Sequence, residues 1–257
     1  MLININENNL YVEYQKNFEN RPTIVFLHDS LGCVELWRDF PQRISEACQC
    51  NLLLYDRLGY GKSDPMQRFF REPNYLELEA EILNKLLIVL NVENAVLFGH
   101  SDGGSIALIA ASKFPKRVKM VICEAAHIFV EKITLDGITA AIKAYNTTNL
   151  PVKLQKYHGN KTETIFKAWT EIWLRDDFRS WNIECLLPKI NSPLLFIQGE
   201  NDEYGTLAQV EKTVDLVSGK AEKYILPNTG HTPHKEVSDL VISKTTEFIN
   251  NHLSAIF

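Results

Sequence analysis

Residues 95–113 read AVLFGHSDGGSIALIAASK, and the local structure of this run decides the fold. Ala95–Gly99 is a short block of large and β-branched apolar residues, too short for a typical helix and suited to a strand buried on both faces. From Asp102 to Lys113 the pattern turns helical, with Gly103, Gly104, Ala107, Ala110 and Ala111 offering small residues for close contact with a sheet. Between the two lies Gly99-His100-Ser101-Asp102-Gly103, a G-x-S-x-G match. Such a match is common by chance, but here it occupies a strand, sharp turn and helix in that order. A serine at the apex needs strained backbone angles, and Gly99 and Gly103 leave room for the turn. The turn lifts the Ser101 hydroxyl clear of the sheet and sets it at a helix N-terminus, where negative charge is favoured.

The same rhythm extends outward. Strand candidates are Thr23–His28, Leu52–Asp56, Ala95–Gly99, Val118–Cys123, Leu194–Gln198 and Lys223–Leu226, with Ile3–Ile5 and Leu10–Tyr14 as an antiparallel opening. Helical periodicity falls between them at Tyr75–Leu90, Asp102–Lys113, Thr206–Val217 and Val237–Ile249. Alternating strands and helices predict an α/β fold with a mostly parallel central sheet flanked by helices. One interval breaks the pattern. From about Ile128 to Leu187 no strand is evident, while helical segments recur at Ile133–Tyr145, Pro151–Tyr157, Glu163–Leu174 and Trp181–Leu187. Some 60 residues of helix between two strands read as an inserted helical cap rather than a loop. The expected division is therefore a core of residues 1–127 and 188–257 and a cap of residues 128–187. Trp169, Trp173 and Trp181 lie in the cap, where they either fasten its helices to the sheet or roof an apolar substrate pocket.

A serine nucleophile needs a base, and the base needs an orienter. His231 sits in LPNTGHTPHKE, after the last proposed strand, in a loop at the sheet edge that carries the Ser101 turn. His234 is the rival. The orienter is expected in GENDE after the penultimate strand, as Asp202, with Glu200 and Glu203 as alternatives. Chain order Ser101, Asp202, His231 is the order this strand arrangement demands. Two backbone N–H groups must meet the oxyanion. One is that of Asp102, after the nucleophile, and the other that of Ser30, in the loop HDSLG after strand TIVFLH.

Composition narrows the remaining classes. The chain has 257 residues and a formal net charge of −5, and its 27 basic residues are scattered rather than gathered on one face. A nucleic-acid or anionic-membrane role is not expected. No start resembling a secretory signal and no membrane-length apolar window is evident. Cys33, Cys48, Cys50, Cys123 and Cys185 are odd in number and lack metal-site spacing, so they read as reduced thiols of a cytoplasmic protein, monomeric or homodimeric. The chemistry calls for no cofactor and no metal, only a small-molecule substrate.

With these residues in place, the chain resembles the α/β-hydrolase fold superfamily, in its capped, esterase-like group. The resemblance spans the H-x-x-x-G loop at His28–Gly32, the D-R-x-G-x-G-x-S run at Asp56–Ser63, the Ser101 elbow, the cap, the acid loop and the final Gly230-His231. It implies a serine hydrolase cleaving a small carboxylic ester, with α-amino esters, lactones and thioesters in range. Alternatives are a C–C bond hydrolase or enol-lactonase of the same fold, or a non-catalytic protein on a hydrolase scaffold. The resemblance also implies a structural role for Asp56-Arg57 beside the site, and it excludes haloalkane dehalogenases, which need aspartate at position 101. The chain departs from many relatives in carrying Asp29 where they have glycine. Ser-Asp-Gly-Gly is similar to the elbow of biphenyl-hydrolase-like enzymes that cleave α-amino esters. By that likeness the Asp102 carboxylate would meet a cationic part of the substrate, unless it only caps the helix. Trp169 and Trp173 would join it as substrate-binding residues.

Overall fold

Among residues 1–253, which the computed structural model describes, eight strands form one sheet: β1 (Leu2–Ile5), β2 (Asn8–Gln15), β3 (Thr23–Leu27), β4 (Asn51–Tyr55), β5 (Ala95–His100), β6 (Val118–Glu124), β7 (Leu194–Gly199) and β8 (Ala221–Leu226). The spatial order is β1-β2-β4-β3-β5-β6-β7-β8. The β1–β2 and β2–β4 pairs are antiparallel and all later pairs parallel, so the opening hairpin closes one edge of an otherwise parallel sheet.

Side-chain alternation along the parallel strands sorts the core into two layers. Val25, Leu27, Leu97, Val121 and Phe196 point to one face; Ile24, Phe26, Phe98, Ile122 and Ile197 point to the other. Both faces are apolar because helices cover both. The helices are α1 (Phe40–Cys48), α2 (Tyr75–Val89), α3 (Asp102–Lys113), α4 (Lys132–Thr147), α5 (Leu150–His158), α6 (Thr162–Leu174), α7 (Leu207–Leu216), α8 (Pro233–Glu236) and α9 (Ser238–His252). Buried residues of α2, α3 and α7 join the first layer, while α1 and α9 pack on the second. Each fully buried Leu, Ile or Phe contributes about 1.5–3 kcal/mol.

Between β6 and β7 the chain forms α4, α5 and α6, which are the inserted helical cap of the expected architecture. Its last expected helix, Trp181–Leu187, is different. Phe129 and Asn182 form an antiparallel bridge, and the Ile183 N–H donates to the Ile128 carbonyl at 2.8 Å. Entry and exit of the insertion are thus stitched together by backbone bonds. That takes Asn182 into a β-bridge instead of a helix, and only a 3-10 turn at Glu184–Lys189 follows, with Pro188 inside it. A nine-residue helix, α1, is an addition to the sequence expectation; its Pro41 at the first turn is a helix-start signal on a segment too short to show strong periodicity. Among the described residues, no helix is long and apolar enough to cross a membrane.

Candidate active site

Parallel strands end on one side, and loops leaving β3, β4, β5, β6, β7 and β8 meet there. Ser101 stands at the end of β5 with φ 54° and ψ −119°, the left-handed turn a side chain tolerates only under constraint. Its N–H donates to the Glu124 carbonyl at 2.9 Å, and its carbonyl accepts the Gly104 N–H at 2.8 Å. A Cβ on Gly99 would overlap the Gly103 carbonyl, and one on Gly103 would overlap that of Leu27. Both glycines let backbone pass where no side chain fits.

His231, in the loop after β8, places Nε2 3.0 Å from Ser101 Oγ. Its Nδ1 lies 2.8 and 2.9 Å from the two carboxylate oxygens of Asp202, in the loop after β7. A carboxylate can only accept, so the proton sits on Nδ1 and Nε2 offers its lone pair to the serine. Asp202 also accepts the Gln198 amide at 2.7 Å and the backbone N–H groups of Tyr204 at 2.8 Å and Gly205 at 3.3 Å. Burial alone would raise its pKa; the adjacent His231 and these donors reverse that and hold it below the usual carboxylate range. Burial would likewise lower the pKa of His231, but the Asp202 charge and hydrogen bond, with Glu203 and Asp29 beyond, lift it above the ordinary imidazole value.

The other candidates fall elsewhere. His234 Nδ1 is 2.5 Å from Glu124 Oε2, and its ring packs on Trp37 and Phe40, so it is buried behind the site. Glu203 does not orient the imidazole; it accepts the His231 backbone N–H at 3.2 Å. His100 points away from the apex and its Nε2 donates to the His231 carbonyl at 2.8 Å. Burial, with the neighbouring His234, pushes its pKa down to about 4, so it is a neutral donor. His100, Glu124 and His234 bring three ligand-type atoms within 4.8 Å of one another, and the His234–Glu124 bonds together with the His100 bond to the His231 carbonyl brace the His231 loop.

The loop after β3 is braced more heavily still. The Asp29 carbonyl accepts His28 Nδ1–H at 2.8 Å, Arg57 Nη2–H at 2.7 Å and the Gly32 N–H at 3.3 Å. His28 Nε2 in turn accepts the Arg57 N–H at 3.1 Å. In a trans peptide the carbonyl and the next N–H point in opposite directions. Three donors on the Asp29 oxygen therefore fix the direction of the Ser30 N–H. Among the described residues, neither the Ser30 nor the Asp102 N–H donates to any protein acceptor. Both residues border one cavity of about 230 Å³ with Ser101 and His231.

Trp169 and Trp173 border the same cavity, whereas Trp181 stacks on Phe178 outside it. The cap thus both fastens and roofs. His127, Ile138 and Tyr204 also line it and had no signal in the sequence beyond following a strand end or lying in the cap. The Asp102 side chain lies where a substrate cation has poor access. It is 1% exposed, and its Oδ2 accepts Tyr75 Oη–H at 3.0 Å and faces Arg57 Nη1 at 3.6 Å and Arg71 Nη1 at 4.0 Å. Tyr75 Oη itself accepts the Trp173 indole N–H at 2.9 Å, which ties this buried ion cluster to the cap.

The sequence matches the alpha/beta hydrolase fold family over residues 22–178. It is 27% identical over 244 residues to human serine hydrolase BPHL, covering 90% of this chain and 80% of that protein. An alpha/beta hydrolase from a Medee basin deep-sea metagenome library superposes with a TM-score of 0.81 at 20% identity, over 97% of each chain. The enol-lactonase from Burkholderia xenovorans LB400 superposes with a TM-score of 0.77 at 19% identity, over 97% of this chain and 99% of that one. Matching sequence over more than half its length, with a parallel sheet, an inserted helical cap and a serine on a strained strand-to-helix turn, the chain belongs to the alpha/beta hydrolase fold family.

Proposed function

We propose that the protein is a serine hydrolase that cleaves small carboxylic esters through an acyl-enzyme. The observation that carries this reading is the unbroken relay from Asp202 through His231 to Ser101, 2.8 and then 3.0 Å, opening on a cavity beside two unbonded backbone donors. His231 Nε2 takes the Ser101 proton as Oγ attacks the ester carbonyl. Asp202 stabilises the imidazolium, and the Ser30 and Asp102 N–H groups receive the oxyanion. His231 then protonates the leaving alcohol, water enters, and the same steps release the acid. No step calls on a cofactor or metal.

The charge of the cavity favours an ester over the substrates of C–C bond hydrolases. Among the described residues its wall carries Asp29 and Glu203 and no lysine or arginine, so a second substrate carboxylate would meet repulsion. The Asp102 carboxylate is already matched by two guanidiniums, which favours esters without a required α-amino group. Residues 128–187 act as the cap that sets acyl size through Trp169 and Trp173. The five free cysteines, four of them buried, fit a protein that works in the cytoplasm.

The test is covalent labelling with a fluorophosphonate together with turnover of p-nitrophenyl esters. Wild-type protein should label and turn over, and Ser101→Ala should do neither while keeping its circular dichroism. Equal labelling of both proteins would refute Ser101 as nucleophile, and a folded wild type inert to both reagents would leave only the scaffold reading.

A further inference from the structure

The cap reaches the oxyanion loop through one buried imidazole. His158, the last residue of α5, has Nδ1 3.0 Å from the Gly61 backbone nitrogen and Nε2 3.0 Å from the Leu31 carbonyl oxygen. A backbone N–H can only donate and a carbonyl can only accept. The ring is therefore neutral, with its proton on Nε2. Three residues on, Lys161 Nζ donates to the carbonyls of Tyr60, Gly61 and Ser63 at 3.3, 2.7 and 2.5 Å. The residue that caps the start of α6 is thus fastened to the loop after β4, and His158 spans from that loop to the one after β3.

Leu31 follows the proposed oxyanion donor. The Gly32 N–H bonds back to the Asp29 carbonyl, so the Leu31–Gly32 peptide closes the turn whose other arm is the Asp29–Ser30 peptide. A pull on the Leu31 carbonyl is transmitted to the Ser30 N–H across this one turn. We propose that His158 is a positioning residue for ester hydrolysis: by bonding Leu31 to the cap it keeps the Ser30 donor in register with Ser101, so seating the cap and assembling the oxyanion hole are one event. The inference rests on the serine-hydrolase reading.

The ring's surroundings keep it in the required state. Burial lowers its pKa, the Leu31 carbonyl and Asp29 oppose that shift, and Lys161 adds to the lowering. His28 and the Tyr60 ring face it from the core side. Protonating Nδ1 would remove the acceptor of the Gly61 N–H. Below the pH at which His231 protonates, the wild-type rate should therefore fall with a slope of one against pH and then steepen as His158 takes a second proton.

The experiment compares wild type, His158→Phe and His158→Gln. Fluorophosphonate titration of the wild type comes first: failure to label ends the hydrolase reading itself and is distinct from failure of this inference. Phenylalanine keeps the ring's bulk without either bond. Per titrated active site, His158→Phe should lose about 10- to 100-fold in kcat with KM little changed, as expected for a donor displaced only where the transition state needs it. Its affinity for a trifluoromethyl ketone, whose adduct places an oxyanion in the hole, should fall in parallel. Glutamine supplies one acceptor and one donor, so His158→Gln should recover most of kcat and keep an acid limb of slope one. Wild-type kcat and ketone affinity in His158→Phe would overturn the proposal. Should that variant not fold, a His158→Gln acid limb superimposable on the wild type would overturn it equally.

Discussion

Replacing Asp202 by asparagine tests the relay at its least exposed point. Asp202 Oδ1 receives two backbone N–H groups, from Tyr204 and Gly205, so the asparagine carbonyl oxygen must stay there. The new NH2 then occupies the place of Oδ2, facing Gln198 Nε2 and His231 Nδ1. Gln198 can answer by turning its amide, since its Oε1 has no hydrogen-bond partner among the described residues; it would give up its bond to the Gly205 carbonyl. The stability loss should then be about 1 kcal/mol, one neutral hydrogen bond. His231 Nδ1 lies 2.8 Å from the retained Oδ1, but its proton must now compete with the NH2 hydrogens facing it at 2.9 Å. An NH2 group donates to Nδ1, drives the proton to Nε2, and leaves the imidazole unable to accept the Ser101 proton. The same exchange in a serine protease lowers kcat by about 10⁴, which is about 5.4 kcal/mol of transition-state stabilisation at 1.36 kcal/mol per tenfold. A second signature follows from the raised pKa of His231. Turnover requires neutral His231, so wild-type activity should be lost as pH falls through a value above that of a free imidazole. Asparagine removes the charge that raised this value and leaves burial, which lowers it, so the acid limb should move to lower pH. Hydrolysis of p-nitrophenyl acetate across the acid and neutral range measures both quantities. A variant within about tenfold of wild type, with its acid limb in place, would refute the assigned role of Asp202.

Asp102→Asn separates the buried ion cluster from substrate recognition. Removing this charge from beside Arg57 and Arg71, which Glu79 still faces, should cost about 3 kcal/mol, and so lower Tm by roughly 6–12 °C, while the ratio of kcat/KM for an α-amino ester to that for its des-amino analogue stays unchanged; selective loss of the amino ester would return the carboxylate to the substrate. Trp169→Ala opens the cavity roof. Room for about two more methylenes, each worth about 0.8 kcal/mol, should raise kcat/KM for a longer acyl chain about tenfold relative to acetate, and an unchanged chain-length profile would remove Trp169 from the acyl site.

What the sequence made legible was local. The Ser101 turn is specified within a dozen residues: a strand-length apolar block, two glycines where backbone passes backbone, and a helix of small residues. Asp202 and His231 were placed by their strands, because parallel strands deliver their following loops to one edge whatever the details of packing. The preference for His231 over His234 has a partner that spacing does not reveal: Glu124 at the end of β6, 110 residues away, takes His234 into the core.

The partners of the Asp102 carboxylate and the contacts of His158 stay hidden in the sequence for one physical reason. Local sequence fixes where Asp102 stands, at the first turn of α3, and so fixes its N–H. The carboxylate answers to partners from other segments, Arg57, Arg71 and Tyr75, whose charges and hydroxyl draw it under the helix. His158 meets Gly61 and Leu31 across 97 and 127 residues of chain, with nothing in the intervening periodicity to announce either contact. Backbone donors are therefore the more readable half of this site. The cap supplies Thr134, Ile138, Trp169 and Trp173 to the cavity wall, so substrate preference should respond to substitutions there more than to changes around the serine.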